Sequence, residues 1–123
     1  MIKNFEDLTY ELTNEELEKV DVIIKGLSVR EGKSKAISGA LICDKMNLTG
    51  VRLRKIIHYI RIKNKLYGLC SSSKGYYIAS NITELNEYIV SFKQRIKSQV
   101  DVLNSLENQS IMFGGTGQLT IFE

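Results

Sequence analysis

The 123-residue sequence contains no proline and no tryptophan, and it has only one histidine and two cysteines. Cys43 and Cys70 do not have the spacing of a zinc motif, and we expect two buried thiols rather than a disulfide. We therefore expect no metal site and no cofactor. No apolar run approaches the roughly 18 residues of a membrane span. The first residues do not resemble a secretion signal, so we expect a cytoplasmic protein without membrane contact.

Catalytic motifs are missing as well. No nucleophile or carboxylate stands at a diagnostic spacing from His58, and there is no phosphate-binding loop. We expect no catalytic residues and hence no enzyme. His58 is better explained as a neighbour of a phosphate or as an ordinary surface residue.

Positive charge is concentrated in one part of the chain. Residues 30–76 contain 11 Lys or Arg and 2 acidic residues, a net charge of +9, whereas the remainder contains 6 basic and 12 acidic residues, a net charge of −6. Such segregation is typical of a face that binds a polyanion. The alternative is a basic surface that is only solvated.

Three helices are predicted in the first half of the chain. Thr13 and Glu16 form a capping-box motif that begins the first helix. Ser34 is expected to cap the second, with an apolar set of Ile37, Ala40, Leu41 and Cys43. After a tight connection, Thr49 caps a third helix over about 50–63, with one apolar face: Leu53, Ile56, Ile57 and Ile60.

A hairpin and a long helix follow. Two short runs rich in β-formers flank the polar turn 71–75, which predicts a β-hairpin over about 69–79, with Tyr77 in the core. Asn81 or Thr83 caps the last helix. The fold class is therefore mainly α with a small β-hairpin. We divide the chain into residues 1–80, a C-terminal helix at 81–109 and a flexible tail at 110–123.

The order of helix, helix, tight turn, helix and hairpin predicts a winged helix-turn-helix with a long C-terminal helix. The third helix is then the recognition helix in the major groove, and the hairpin is the wing on the DNA backbone. On a helical wheel, Lys55 and His58 point away from the apolar face, with Arg52 and Tyr59 on one flank and Arg54 on the other. The expected DNA-binding residues are Lys33, Lys35, Thr49, Arg52, Arg54, Lys55, His58, Tyr59, Ser72, Ser73 and Lys74.

Two stretches, MNLTGVRLRKII at 46–57 and CSSSKGYY at 70–77, carry a family resemblance. They resemble the winged helix-turn-helix domains of small phage and prophage proteins from Gram-positive bacteria. The resemblance covers about residues 13–79. It implies the fold and the binding of double-stranded DNA, in phage replication or in gene regulation as a repressor. The other hypothesis is a protein-interaction winged helix that inhibits a host factor without binding DNA.

The last helix and the tail suggest two further partners. The apolar residues from Leu85 to Leu106 alternate steps of three and four, which favours a homodimer through Ile96, Val100 and Leu103. The first half of the helix packing on its own domain is the alternative. Near the C-terminus, residues 118–122 resemble the peptide with which bacterial replication and repair proteins bind the β sliding clamp, and the expected clamp contacts are Gln118, Leu119, Ile121 and Phe122. An edge strand folding back is the simpler explanation of that segment.

Overall fold

A computed structural model describes residues 11–114 of the chain. It is mainly helical, with one two-stranded antiparallel hairpin, as the sequence predicts. The described residues divide into two compact units, residues 11–86 and 87–114. Within the described residues, none of the helices combines the length and the apolar composition that a membrane span requires.

The first helix, α1, spans Asn14–Ser28 and begins with the predicted capping box. The Glu16 N–H donates to the Thr13 hydroxyl at 3.1 Å, and the Thr13 N–H donates back to the Glu16 carboxylate at 2.8 Å. One face of α1 is buried in the core through Val20, Ile23 and Leu27. The capping box and the buried apolar face therefore both support a helix that begins directly after Thr13.

The second helix begins later than predicted. Ser34 lies in a short 3-10 helix, Lys33–Lys35, and α2 spans Gly39–Met46 with Ser38 as its N-cap. Ile37 is held outside the helix, because its backbone forms a bridge with Tyr76 of the hairpin. The predicted apolar set is therefore wrong in part: Ile42 is the buried residue of α2, whereas Leu41 is 41% exposed.

The third helix, α3, spans Gly50–Ile62 and is capped by Thr49, as predicted. Asn47, in a left-handed conformation with φ of 54°, ends α2 and turns the chain toward α3. The four predicted apolar residues of α3 are all buried and form the centre of the core with side chains of α1, α2 and the hairpin: Leu53, Ile56, Ile57 and Ile60.

The hairpin consists of β1, Leu69–Ser72, and β2, Gly75–Ile78. Ser71 and Ser72 belong to β1 and not to the turn, so the connection is shorter than predicted. The backbones of Ile37 and Tyr76 exchange hydrogen bonds of 2.9 and 2.8 Å, which fix the 3-10 segment to β2. Tyr77 is 3% exposed, as expected for a core residue.

The last helix, α4, spans Ile82–Gly114. The Asn81 side chain accepts a hydrogen bond from the Glu84 N–H at 2.9 Å, so Asn81 is its cap rather than Thr83. The helix continues beyond residue 109, where the predicted tail begins. From residue 87 onward, α4 makes up the described part of the second unit.

Candidate nucleic-acid interface

The N-terminus of α3 lies at the surface of the first unit. Thr49 and Gly50 are exposed, and the Thr49 hydroxyl accepts a hydrogen bond from the Arg52 N–H at 3.2 Å. Leu48, just before the cap, is buried and anchors the connection from α2. The short connection thus holds the start of α3 against the core while its first turn remains accessible.

A buried carboxylate lies beside this end of α3. Glu16 of α1 is only 1% exposed. Its carboxylate accepts hydrogen bonds from Lys55 Nζ at 3.2 Å and from Arg52 Nε at 3.1 Å, in addition to the bond from the Thr13 N–H. A buried charge is tolerated only when it is paired and hydrogen-bonded, and Glu16 meets both conditions.

The electrostatics of this cluster favour the ionised carboxylate. Burial by itself would raise the pKa of Glu16, but the backbone N–H of Thr13 and the side chains of Lys55 and Arg52 stabilise the charged form. The pKa of Glu16 therefore lies below its ordinary value. The cluster joins the first turn of α1 to the N-terminal half of α3.

The Glu16 cluster corrects the predicted orientation of α3. Lys55 does not project into solvent, because its side chain is only 18% exposed and its ammonium group binds Glu16. Arg52 is 34% exposed and is turned toward α1. A helical wheel places residues relative to one packing surface, and it missed the end of α1 that lies beside this face.

The remaining residues of α3 divide between core and surface. Tyr59 packs against the core and is half-buried, so the predicted flank position is wrong for it. His58 is half-buried. The outer surface includes Val51 and Ile62, which are 60% and 64% exposed. This face is therefore less basic than the sequence predicts.

Arg54 is the exposed arginine at the N-terminal half of α3. Its guanidinium lies over Gly50, where a Cβ would be 3.4 Å from one of its nitrogens. It lines an open groove together with residues of α2 and with Tyr76 of β2. Arg54 is therefore near the place where α2, α3 and the hairpin meet.

The hairpin and the 3-10 helix carry further exposed cations, whereas the charged residues that line the groove itself are Arg54 and Asp44. Ser73 and Lys74 are exposed at the hairpin turn, where the Lys74 N–H donates to the half-buried Ser72 hydroxyl at 3.2 Å. Lys33 and Lys35 are exposed on the 3-10 helix. Because the Ile37–Tyr76 bridge fixes this segment to β2, cations that are distant in the sequence occupy neighbouring elements.

The sequence did not predict this bridge or the Glu16 cluster. An isolated bridge of one residue pair leaves no periodic pattern, so residues 36–38 read as part of a helix. The charge signal for the cluster was present: an acidic first turn of α1, with Glu15 and Glu16, faces a basic first half of α3. What was lacking was the knowledge that these two ends lie side by side.

The predicted dimer residues are all exposed on α4: Ile96 at 50%, Val100 at 45% and Leu103 at 54%. The predicted clamp residues, Gln118, Leu119, Ile121 and Phe122, lie outside the described residues. Between residues 11 and 114, no group of three or more His, Cys, Asp or Glu side chains is placed to hold a metal ion.

Comparisons of this chain with protein-family models, with curated proteins and with solved structures gave no match. The functional argument therefore depends on the geometry and charge of this molecule.

Proposed function

We propose that the first unit is a winged helix-turn-helix domain that binds double-stranded DNA, with α3 as recognition helix and the β1–β2 hairpin as wing. The support is the order of the elements together with the short α2–α3 connection, which leaves the first turn of α3 accessible. From the sequence resemblance to phage and prophage proteins, we further propose a role in phage replication or gene regulation.

One observation carries this proposal: exposed cations lie on three elements that the fold brings together, the 3-10 helix, α3 and the hairpin. Arg54 of α3 lines the groove with Tyr76, Lys74 lies two residues before Tyr76, and Lys35 lies two residues before the bridged Ile37. Exposed lysines on elements joined to the hairpin, together with an accessible helix start, suit a phosphate backbone, because phosphate contacts position a protein on the duplex.

The proposed roles differ from those expected at first for the residues of α3. Arg54 is the side chain available for a base edge, since arginine binds guanine through two hydrogen bonds. Lys33, Lys35 and Lys74 contact phosphates, and the hydroxyls of Thr49 and Ser73 add hydrogen bonds. We assign Arg52 and Lys55 to positioning α3, because both are engaged by Glu16.

Fluorescence anisotropy with a random-sequence duplex tests the proposal. The double variant Lys35→Ala/Lys74→Ala is compared with Lys25→Ala/Lys97→Ala, which removes the same charge from exposed sites on α1 and α4. Each phosphate contact contributes about one unit to the slope of log K against log salt. We expect the slope to fall by about two in the first variant and to remain within about 0.5 of wild type in the second.

Two results would contradict this assignment. Equal losses in both variants would mean that only net charge matters, and no binding at low salt by the folded protein would remove the DNA-binding function. Arg54→Ala is measured separately against duplex libraries, where the expected effect is relaxed preference at one base pair with little change in the salt slope.

A second function has support from the outer surface of α3. Val51 and Ile62 are well exposed there, and apolar side chains at such positions suit a protein partner better than a phosphate backbone. The alternative is thus an interaction module that inhibits a host factor. If the folded protein shows no salt-dependent DNA binding, Val51→Ser and Ile62→Ser become the variants with which a protein contact is mapped.

We also propose, from the sequence of residues 118–122, that the tail docks on the bacterial β sliding clamp. The peptide QLTIF would place Leu119, Ile121 and Phe122 in an apolar pocket while Gln118 orients it. A fluorescent peptide of residues 115–123 should bind purified clamp, and the Phe122→Ala peptide should not. Equal binding by both peptides would contradict the proposal.

A further inference from the structure

The second unit carries an apolar surface that no described residue covers. In α4, none of the side chains is buried. Large apolar residues recur along it at steps of three, four and seven and remain between 39% and 54% exposed: Ile89, Phe92, Ile96, Leu103, Leu106 and Phe113. A single helix in water gains no stability from such a stripe, so the stripe indicates a partner surface.

The spacing of the stripe defines a heptad register. Ile89, Ile96 and Leu103 occupy one of the two core positions, a; Phe92, Leu106 and Phe113 occupy the other, d. Gln99, at d, and Ser110, at a, are the two polar interruptions between residues 89 and 113. The run spans about three and a half heptads, the length at which this spacing begins to indicate a coiled coil when charged residues flank it.

The residues that flank the core decide the orientation of the partner. On one side, at the e positions, are Lys93, Val100 and Glu107. On the other side, at the g positions, are Arg95, Val102 and Gln109. In parallel coiled coils g faces e of the next heptad of the partner, whereas in antiparallel pairs e faces e and g faces g. The two orientations therefore bring different flanking residues together.

We propose that α4 pairs antiparallel with α4 of a second copy, with the twofold axis passing near residue 101. In this register Ile89 packs opposite the partner's Phe113, and Ile96 opposite the partner's Leu106. Gln99 packs opposite the partner's Leu103, so that the two glutamines lie on either side of the axis. The full length of the stripe is then covered by an identical stripe.

Charge complementarity favours this arrangement over the parallel one. Antiparallel pairing places Lys93 opposite the partner's Glu107 twice, and it places Val100 and Val102 opposite their own copies across the axis. Parallel pairing would place Arg95 opposite the partner's Val100 and would place Val102 opposite the partner's Glu107, with no ion pair. A shift of one heptad in the antiparallel pair also loses the Lys93–Glu107 contact and shortens the overlap.

The contacts that α4 makes with itself leave this surface available. Lys97 forms an ion pair of 3.1 Å with Asp101, at positions that point away from the stripe. Arg95 lies over the ring of Phe92 at 5.1 Å from its centroid and at the edge of the stripe. Among the residues that the structure describes, Lys93 and Glu107 make no ion pair.

A charge exchange tests the pairing in the full-length protein by sedimentation equilibrium at low salt. Lys93→Glu and Glu107→Lys should each raise the dimer dissociation constant by about tenfold, because each replaces two attractive contacts by two repulsive ones. The double variant Lys93→Glu/Glu107→Lys should return it to within about threefold of wild type. The two residues are fourteen positions apart on one helix, about 21 Å, so only an intermolecular contact explains rescue.

Disulfide trapping distinguishes the two orientations directly. In a Cys43→Ala/Cys70→Ala background whose folding is checked by circular dichroism, Gln99→Cys is mixed with a size-tagged Leu103→Cys. Antiparallel pairing yields the mixed disulfide. A disulfide between two Leu103→Cys chains means parallel pairing and overturns the proposal. The proposal is also overturned if the protein is monomeric at every concentration. It is likewise overturned if the double variant Lys93→Glu/Glu107→Lys loses as much dimer affinity as the two single variants combined.

Discussion

The buried carboxylate of Glu16 is the contact through which α1 positions α3, and Glu16→Gln measures its strength. Glutamine keeps the oxygen that accepts from the Thr13 N–H, so the capping box remains while the charge is removed. The hydrogen bond from Lys55 to the same oxygen loses its charge assistance, and the bond from Arg52 is lost, because the amide nitrogen that replaces Oε2 is a donor. A bond to a charged group is worth about 1.5–3 kcal/mol. Because the side chains of Arg52 and Lys55 are 34% and 18% exposed, water replaces part of the interaction that they lose.

We therefore expect Glu16→Gln to lower the free energy of unfolding by about 2 kcal/mol at pH 7, with an unchanged dependence on urea concentration. Urea titration followed by circular dichroism gives this value. The matched control is Glu15→Gln, the same change one residue earlier. The Glu15 side chain is 56% exposed and its partners Lys19 and Arg52 are both at 3.5 Å. Glu15→Gln should therefore lower the free energy of unfolding by less than about 0.5 kcal/mol.

The same pair of proteins predicts a pH dependence. Because the pKa of Glu16 is lowered in the native state, the unfolded chain takes up the proton first as the pH falls. The stabilisation is complete above the unfolded glutamate pKa of about 4.3 and is lost as the pH falls through the lower native pKa. The difference between wild type and Glu16→Gln should thus shrink below about pH 5. Equal stabilities of the Glu15 and Glu16 variants at pH 7 would refute the reasoning.

Two further predictions concern the hairpin and the thiols. Gly75 has a φ of 129° and a Cβ there would overlap the Ile37 carbonyl, so Gly75→Ala should destabilise by about 3 kcal/mol. Gly26 lies in the last turn of α1 with open space around it, so Gly26→Ala should stabilise by about 0.5 kcal/mol. Both are measured by urea titration, and a loss below about 1 kcal/mol for Gly75→Ala would contradict the packing. Cys70 is 0% exposed, and burial raises the pKa of its thiol. Ellman's reagent should therefore react first with the half-buried Cys43 and should reach Cys70 only as the protein unfolds. Equal reaction rates of Cys43 and Cys70 in the native protein would show that Cys70 is not buried.

The parts of the fold that sequence could predict are those specified by neighbouring residues. Thr13 with Glu16, and Thr49 before an apolar stripe, each define a helix start within four residues, and both starts are confirmed. The second helix illustrates the opposite case. Ser34 and Ser38 are both suitable caps, and the choice between them depends on the bridge from Ile37 to β2, which the local sequence does not encode.

The candidate site was predictable in composition but not in orientation. The +9 segment does contain the exposed cations Lys33, Lys35, Arg54 and Lys74. The sequence could not show that Arg52 and Lys55 are engaged by a carboxylate more than 30 positions away. Long-range ion pairs form wherever two elements meet, and where they meet depends on packing rather than on periodicity.

The bridge between Ile37 and Tyr76 also has a consequence for the order of folding. The bridge closes a loop of about 40 residues that contains both α2 and α3. Closing this loop costs about 3 kcal/mol in chain entropy, so the bridge becomes favourable only after other contacts have brought its two ends together. We expect α2 and α3 to associate first and the hairpin to dock late, after the transition state. Gly75→Ala should then mainly accelerate unfolding and leave the refolding rate nearly unchanged. The hairpin that we propose as the wing would then be the first part of the first unit to lose its contacts as the protein unfolds, and the reaction of the buried Cys70 thiol in β1 would report that step.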